Sequence, residues 1–282
     1  MRVSVEQMKC QVGEINTNLE KIMGKIDEAA KRGEDLVVFP EMSLSGYSLI
    51  RKQMNQSLRQ QLERALEKIR RISGERKIDV IISFPEIGRE EVYITAVYIE
   101  GGEEVGRHRK VYLADYLHAV EHLHFDPGES FNVFSTRHGR VGLLICEDAW
   151  HLSSSIILGQ DRPDIIIAPS ATSITSLEKL YEIQMRWEVL SRAIAMTQAV
   201  YFIYCNQSGE EDKLTFWGGS HVVSPYGEIL NRLPSMEEGS GRWDLDMNYV
   251  AQCKRALPLV EKEKNTVNLR EFGRIVDAGE AE

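Results

Sequence analysis

Cysteine is scarce in this chain and scattered. Cys10, Cys146, Cys205 and Cys253 are the four among 282 residues, and no two form a Cys-x-x-Cys pair. That spacing excludes a zinc ribbon and a disulfide framework, and it fits a reducing compartment that keeps a thiol available. No apolar run approaches the length needed to cross a membrane. The opening Met1-Arg2-Val3-Ser4-Val5-Glu6 lacks the apolar segment of a signal peptide, so a cytoplasmic location is expected. Basic excess is missing too. Asp and Glu total 43 against 34 Lys and Arg, a net charge of −9, and the longest basic cluster is the short Arg107-His108-Arg109-Lys110. No electrostatic footprint for nucleic acid follows from such a balance. Linkers, low-complexity blocks and solenoid repeats are also absent. The expected organisation is one domain over residues 1–260, followed by a charged C-terminal tail over 261–282.

What is present is a set of short apolar runs, each ending in a residue with chemistry to offer. The central one is Arg140-Val141-Gly142-Leu143-Leu144-Ile145, which ends in Cys146-Glu147-Asp148-Ala149-Trp150. Its length and composition predict a buried strand with Cys146 at the carboxyl end, where open α/β sheets place their ligands. Earlier in the chain, residues 2–9 predict a strand. Asn16 or Thr17 caps a helix to Lys31 with Leu19, Ile22, Ile26 and Ala29 or Ala30 on one face. Asp35 to Phe39 is the next strand and stops at Pro40-Glu41, giving a βαβ-like unit and a layered α/β architecture.

Residues 49–77 read as helical, with Leu58, Leu62, Leu66 and Ile69 recurring at spacings of four, four and three. Strands follow at 78–84 and 92–100, and a Gly101-Gly102 hairpin turn leads into 105–110. Residues 131–134 are expected to pair with the Cys146 strand through a turn at His138-Gly139. A strand at 164–168 stops at Pro169, a long helix fills 175–198, and further strands lie at 199–205, up to Val223 and at 241–245. A helix at 247–256 precedes Pro258.

Three strand ends carry a carboxylate (Glu41), an ammonium (Lys110) and a thiol (Cys146). Brought to one sheet edge they would form a nucleophilic site. The Lys110 charge is expected to favour the thiolate and lower its pKa. Glu41 would take the thiol proton and later activate water. Lys110 and the backbone N–H of Glu147 would hold an oxyanion. Taken singly, each has a plainer reading: Cys146 as a small core residue, Glu41 as a loop acid and Lys110 as a surface cation.

The order Phe39-Pro40-Glu41, Arg109-Lys110, Ile145-Cys146-Glu147-Asp148 resembles the carbon–nitrogen hydrolase (nitrilase) superfamily, whose site is a Glu-Lys-Cys triad. The resemblance covers nearly the whole chain. It includes Leu44-Ser45-Gly46-Tyr47, Phe216-Trp217-Gly218-Gly219-Ser220, Pro225-Tyr226-Gly227-Glu228 and the segment from Asp244 to Pro258. It implies a four-layer α-β-β-α sandwich, with subunits paired through a helical face as a homodimer or higher homo-oligomer. It also implies catalysis by Glu41, Lys110 and Cys146 through a thioester, with no metal or organic cofactor. Glu121, seven residues before Gly128, resembles the family's second glutamate, which supports the lysine and substrate.

Within the superfamily, Cys146-Glu147-Asp148-Ala149-Trp150, Pro169-Ser170-Ala171-Thr172 and Asn206-Gln207-Ser208-Gly209 resemble the glutaminase part of glutamine-dependent NAD synthetases. The chain stops where those enzymes continue and has no Ser-Gly-Gly-x-Asp-Ser loop for ATP. The expectation is a free-standing amidase, or a glutaminase subunit whose ammonia goes to a partner chain. Many family amidases carry Cys-Tyr-Asp-x-Arg-Phe here, and Trp150 stands where that arginine falls. Its presence removes a cation that would suit an acidic substrate. Tyr47, Tyr116, His118, Trp150, Ser170 and Thr172 are expected around the substrate.

His118, His122 and His124, with Glu121 and Asp126, lie close enough in sequence to raise a metal site. Glu121 already has a role by resemblance, so no metal is assigned. The leading activity is hydrolysis of a small linear amide to a carboxylate and ammonia. The alternatives are an N-carbamoyl amine or amino acid amidohydrolase, a nitrilase, and an idle scaffold subunit.

Overall fold

Apolar runs too short for helices and rich in β-branched residues are most stable inside a sheet covered on both faces. The runs fold that way in the computed structural model, which describes residues 1–116 and 119–279. The first half of the chain contains β1 (Arg2–Gln7), α1 (Ile15–Lys31), β2 (Leu36–Val38), α2 (Gln56–Arg76), β3 (Asp79–Ile87), β4 (Val92–Glu100), β5 (Glu103–Arg109), β6 (Val133–Thr136) and β7 (Gly139–Leu143). The second half contains α3 (Leu152–Gln160), β8 (Ile165–Ser170), β9 (Ser173–Ile174), α4 (Leu180–Gln198), β10 (Tyr201–Asn206), β11 (Ser208–Glu211), β12 (Leu214–Trp217), β13 (His221–Val223), β14 (Ile229–Arg232), β15 (Gly239–Asp244), α5 (Met247–Ala256) and α6 (Asn265–Gly279).

Two six-stranded sheets result, ordered β15-β1-β2-β3-β4-β5 and β14-β13-β10-β8-β7-β6, with a small β11-β12-β9 sheet beside them. Each large sheet has three parallel strands at its centre, β1-β2-β3 in one and β7-β8-β10 in the other, and antiparallel strands outside them. The two sheets meet face to face. Cys205 of β10 donates across the interface to the Glu6 and Val38 carbonyls at 3.6 and 3.4 Å. Helices α1 and α2 cover the first sheet, and α3 and α4 cover the second. The fold is the expected α-β-β-α sandwich. Ile22, Ile26, Ala29 and Ile69 are the buried helix faces of one outer layer, as their spacing requires.

Several boundaries differ from those read in the sequence. Helix α1 starts earlier, after Glu14, and neither Asn16 nor Thr17 caps it. Asn18 is instead buried, and its side chain donates to the carbonyls of Gln11 and Leu44. Helix α2 begins only at Gln56, where the Asn55 side chain accepts from Ser57 and Leu58 N–H. The strand read as stopping at Pro169 runs through it. Strand β7 pairs with β8 only as far as Leu143↔Ile167, so the missing proline N–H leaves no partner bare. Residues 173–179 form β9 and a 3-10 turn before α4, because Ser173 and Ile174 pair with β12. The charged tail folds largely as α6, with Leu269, Phe272, Ile275 and Val276 exposed along it.

Candidate active site

Glu41, Lys110 and Cys146 each lie just beyond the end of a strand: β2, β5 and β7. Glu41 and Lys110 come from the first sheet and Cys146 from the second, so the facing of the two sheets brings the three together. Lys110 is fully buried. Its ammonium donates to Glu41 Oε1 at 2.8 Å and to Glu121 Oε1 at 2.7 Å. Burial opposes that charge, but Glu121 and Glu41 outweigh it and hold the ammonium protonated well above the ordinary lysine range. Glu121 is further fixed by the Tyr47 hydroxyl on Oε1 at 2.6 Å and by the Ala114 N–H on Oε2 at 2.8 Å.

Glu41 is fully buried, and among the described residues its Oε2 has no hydrogen-bond partner. Burial raises its carboxyl to about 7; Lys110 works against the rise and Glu121 adds to it. It is therefore a carboxylate poised near neutrality, as a general base requires.

Cys146 opens a 3-10 turn, Cys146–Trp150, with its backbone in the left-handed region at φ +45°. A non-glycine residue there costs about 1–3 kcal/mol, and such residues cluster at functional sites. Its thiol sits 3.6 Å from the Thr172 hydroxyl. Thr172 is held in turn by Asn206, which accepts from its N–H at 2.8 Å and donates to its carbonyl at 3.3 Å. Lys110 pulls the thiol pKa down as expected, but it does not decide the outcome. Burial, with the Glu41 charge added, outweighs the lysine and pushes the thiol well up. At rest the sulfur keeps its proton, so a base must remove it during attack.

Cys146 borders a recess of about 90 Å³, whose walls include Tyr47, Tyr116, Glu147, Trp150 and Thr172. The recess shares Tyr47, Ala119 and Leu214 with an outer cavity of about 750 Å³. Of the residues expected around a substrate, Tyr47, Tyr116, Trp150 and Thr172 therefore meet there. Ser170 is not among the walls: it is fully buried, and its hydroxyl donates to the Ala168 carbonyl at 3.2 Å. His118 lies outside the described residues. The Glu147 carboxyl accepts from the Tyr116 hydroxyl, and burial raises its pKa. Trp150 packs edge-on against Trp187, with ring centroids 5.3 Å apart. His122 pairs with Asp115 at 2.5 Å, and the His124 ring accepts from the Arg51 N–H at 3.5 Å. Among the described residues, no group of three or more His, Cys, Asp or Glu side chains is arranged to hold a metal ion.

Sequence reading missed Asp148, His108, Asn206 and Glu211. Glu211 accepts from the Tyr47 and Ser48 N–H groups at 2.8 and 2.6 Å and so steadies the loop that carries Tyr47. For Asp148 the available signal was its place two residues after the thiol. For His108 it was the matching place two residues before the lysine.

The carbon-nitrogen hydrolase family profile matches residues 2–255. A glutamine-dependent NAD(+) synthetase of Thermotoga maritima is 32% identical over 251 residues, covering 88% of this chain but 42% of that protein. The chain thus spans about two-fifths of the synthetases it matches. An omega-amidase of Xenopus tropicalis is 28% identical over 256 residues, covering 88% of this chain and 90% of its own length. The crystal structure of an amidase from Nesterenkonia sp. superposes with a TM-score of 0.81 at 25% identity, over 96% of this chain and 95% of that one. A variant of the Nesterenkonia enzyme, 26% identical to this chain, carries acrylamide added at its active-site cysteine. On this match the chain belongs to the carbon-nitrogen hydrolase family.

Proposed function

We propose that this enzyme is an amidase that hydrolyses a small linear amide through a thioester on Cys146, with Glu41 as base and Lys110 as electrostatic stabiliser. The observation that carries this reading is the buried Lys110 ammonium, bonded to Glu41 at 2.8 Å and Glu121 at 2.7 Å, beside a recess bordered by the thiol. Glu41 takes the thiol proton as sulfur attacks the amide carbon. The developing oxyanion is met by Lys110 and the Glu147 N–H. Glu41 returns the proton to the nitrogen, the C–N bond breaks and ammonia leaves. Water, deprotonated by Glu41, then attacks the thioester. The carboxylate departs and the thiol regains its proton.

The recess wall carries the Glu147 carboxyl with no cation at Trp150. That charge pattern favours an amide bearing an ammonium over one bearing a carboxylate. Glutamine bears an ammonium as well as a carboxylate, so its ammonium alone suits that wall; a second reading is a glutaminase module whose ammonia passes to another protein. The likeness to NAD synthetases over 88% of this chain also supports that reading.

Self-association completes the proposal. Leu177, Tyr181, Met185 and Val189 are exposed on α4 and the turn before it, and Leu152, Ile156 and Ile157 on α3. Apolar surface on this scale favours pairing. Light scattering at micromolar concentration is expected to give at least a dimer mass, and a strict monomer refutes it. The activity is tested by ammonia release from glutamine, asparagine, short aliphatic amides, N-carbamoyl amines and nitriles, with Cys146→Ala as blank. Cys146-dependent release from an amide supports the reading. Release confined to N-carbamoyl amines or nitriles replaces it with one of those activities.

A further inference from the structure

The base and lysine arise from one sheet and the nucleophile from the other, so something must set their separation. The buried carboxylate of Asp148 touches both sides. Its Oδ1 accepts from the Val111 and Tyr112 N–H groups at 3.0 and 2.9 Å, the two residues directly after Lys110. Its Oδ2 accepts from the Ile145 N–H at 2.9 Å, the residue directly before Cys146. The same oxygen lies 2.7 Å from His108 Nε2 on β5. Both side chains of this pair are fully buried. The His108 ring is stacked on Phe131, with centroids 5.7 Å apart. Three of the four partners are backbone N–H groups, so the carboxylate is an acceptor throughout and His108 donates through Nε2.

We propose that Asp148, oriented by His108, is the positioning residue that fixes the Cys146 turn against the Lys110 strand. It touches no substrate. It acts by holding the backbone on either side of the reacting groups, and it helps keep Cys146 at the tip of its left-handed turn. The proposal rests on the reading of Cys146 and Lys110 as nucleophile and stabiliser. Asparagine at 148 replaces one oxygen by an NH₂ group. In either amide orientation at least one backbone N–H then faces a donor, so the joint loosens while the shape is kept. A displacement of about 1 Å between reacting groups costs on the order of a hundredfold in rate.

The test compares Asp148→Asn, His108→Gln and His108→Phe with the parent enzyme. The readouts are kcat, KM, the thermal melt, and the rate at which iodoacetamide alkylates Cys146, read on the mapped peptide. In folded Asp148→Asn, kcat is expected to fall on the order of a hundredfold with KM within about threefold, and the alkylation rate of Cys146 to change with it. His108→Gln keeps an N–H donor and is expected to retain about ten times the kcat of His108→Phe or more. A folded Asp148→Asn enzyme with unchanged kcat and unchanged alkylation overturns the proposal. If Asp148→Asn gives no cooperative melt, the His108 pair decides, and equal kcat in the two overturns it. Turnover that survives Cys146→Ala refutes the reading of the nucleophile instead. The alkylation rate in Asp148→Asn still decides whether the joint positions the thiol.

Discussion

Glu121→Gln perturbs the site in two directions that a pH profile separates. Glu41 and Glu121 each place an oxygen on the one Lys110 nitrogen, at 2.8 and 2.7 Å. Two like charges about 5 Å apart at an effective dielectric of about 20 repel by about 3 kcal/mol. That repulsion adds to burial in raising the Glu41 carboxyl to about 7, against the pull of Lys110. Removing the Glu121 charge lets Glu41 ionise more readily. Because the base must be deprotonated, activity rises with pH through its pKa, and in the variant that acid limb of kcat/KM moves to lower pH. The same change exchanges a charge-assisted hydrogen bond on Lys110 for a neutral one. Bonds to charged groups contribute about 1.5–3 kcal/mol and neutral ones about 0.5–1.5 kcal/mol, so the exchange costs about 1–1.5 kcal/mol and kcat at the plateau falls about five- to tenfold. The assay is ammonia release with the best substrate, profiled across neutrality. An acid limb that stays put or moves upward, or an undiminished plateau, refutes this electrostatic reading.

Tyr47→Phe deletes the hydroxyl that donates to Glu121 at 2.6 Å. A kcat loss of about tenfold is expected from one bond to a charged acceptor, and full activity refutes the role given to Tyr47. Cys205→Ala and Cys253→Ala leave the chemistry intact. Both thiols are buried and donate to backbone carbonyls away from the recess. A methyl-sized deletion in a core costs about 1 kcal/mol, read as a melting shift of roughly 2–4 °C for a domain of this size. Loss of turnover in either one means the wrong thiol has been named.

Much of the fold was legible because burial on both faces leaves a strong imprint. The runs ending at Phe39, Ile145 and Ala168 read as strands, and each is an inner strand of its sheet with a neighbour on both sides. The partition into two facing sheets was not legible from periodicity, since a strand covered by a helix and one covered by another sheet look alike. Pro169 misled because its missing N–H matters only where a neighbour strand needs it, and β7 has ended by then. The β9 pairing that delays α4 depends on β12, some forty residues later. At the site, the residue types at 41, 110 and 146 were readable by resemblance. The left-handed turn at Cys146, the cross-sheet bonds of Asp148 and the raised thiol pKa were not, because each arises from distant chain segments meeting. A lysine beside a cysteine reads as an activator until the burial and the two carboxylates around it are counted.

Cys146 as the carrier of the acyl group is tested most directly by mass spectrometry of enzyme quenched during turnover of an active amide, followed by peptide mapping. The expected result is an acyl adduct confined to the Cys146 peptide and absent in Cys146→Ala, which melts cooperatively yet releases no ammonia. Undiminished ammonia release by Cys146→Ala, or an adduct on another residue that tracks turnover, contradicts it.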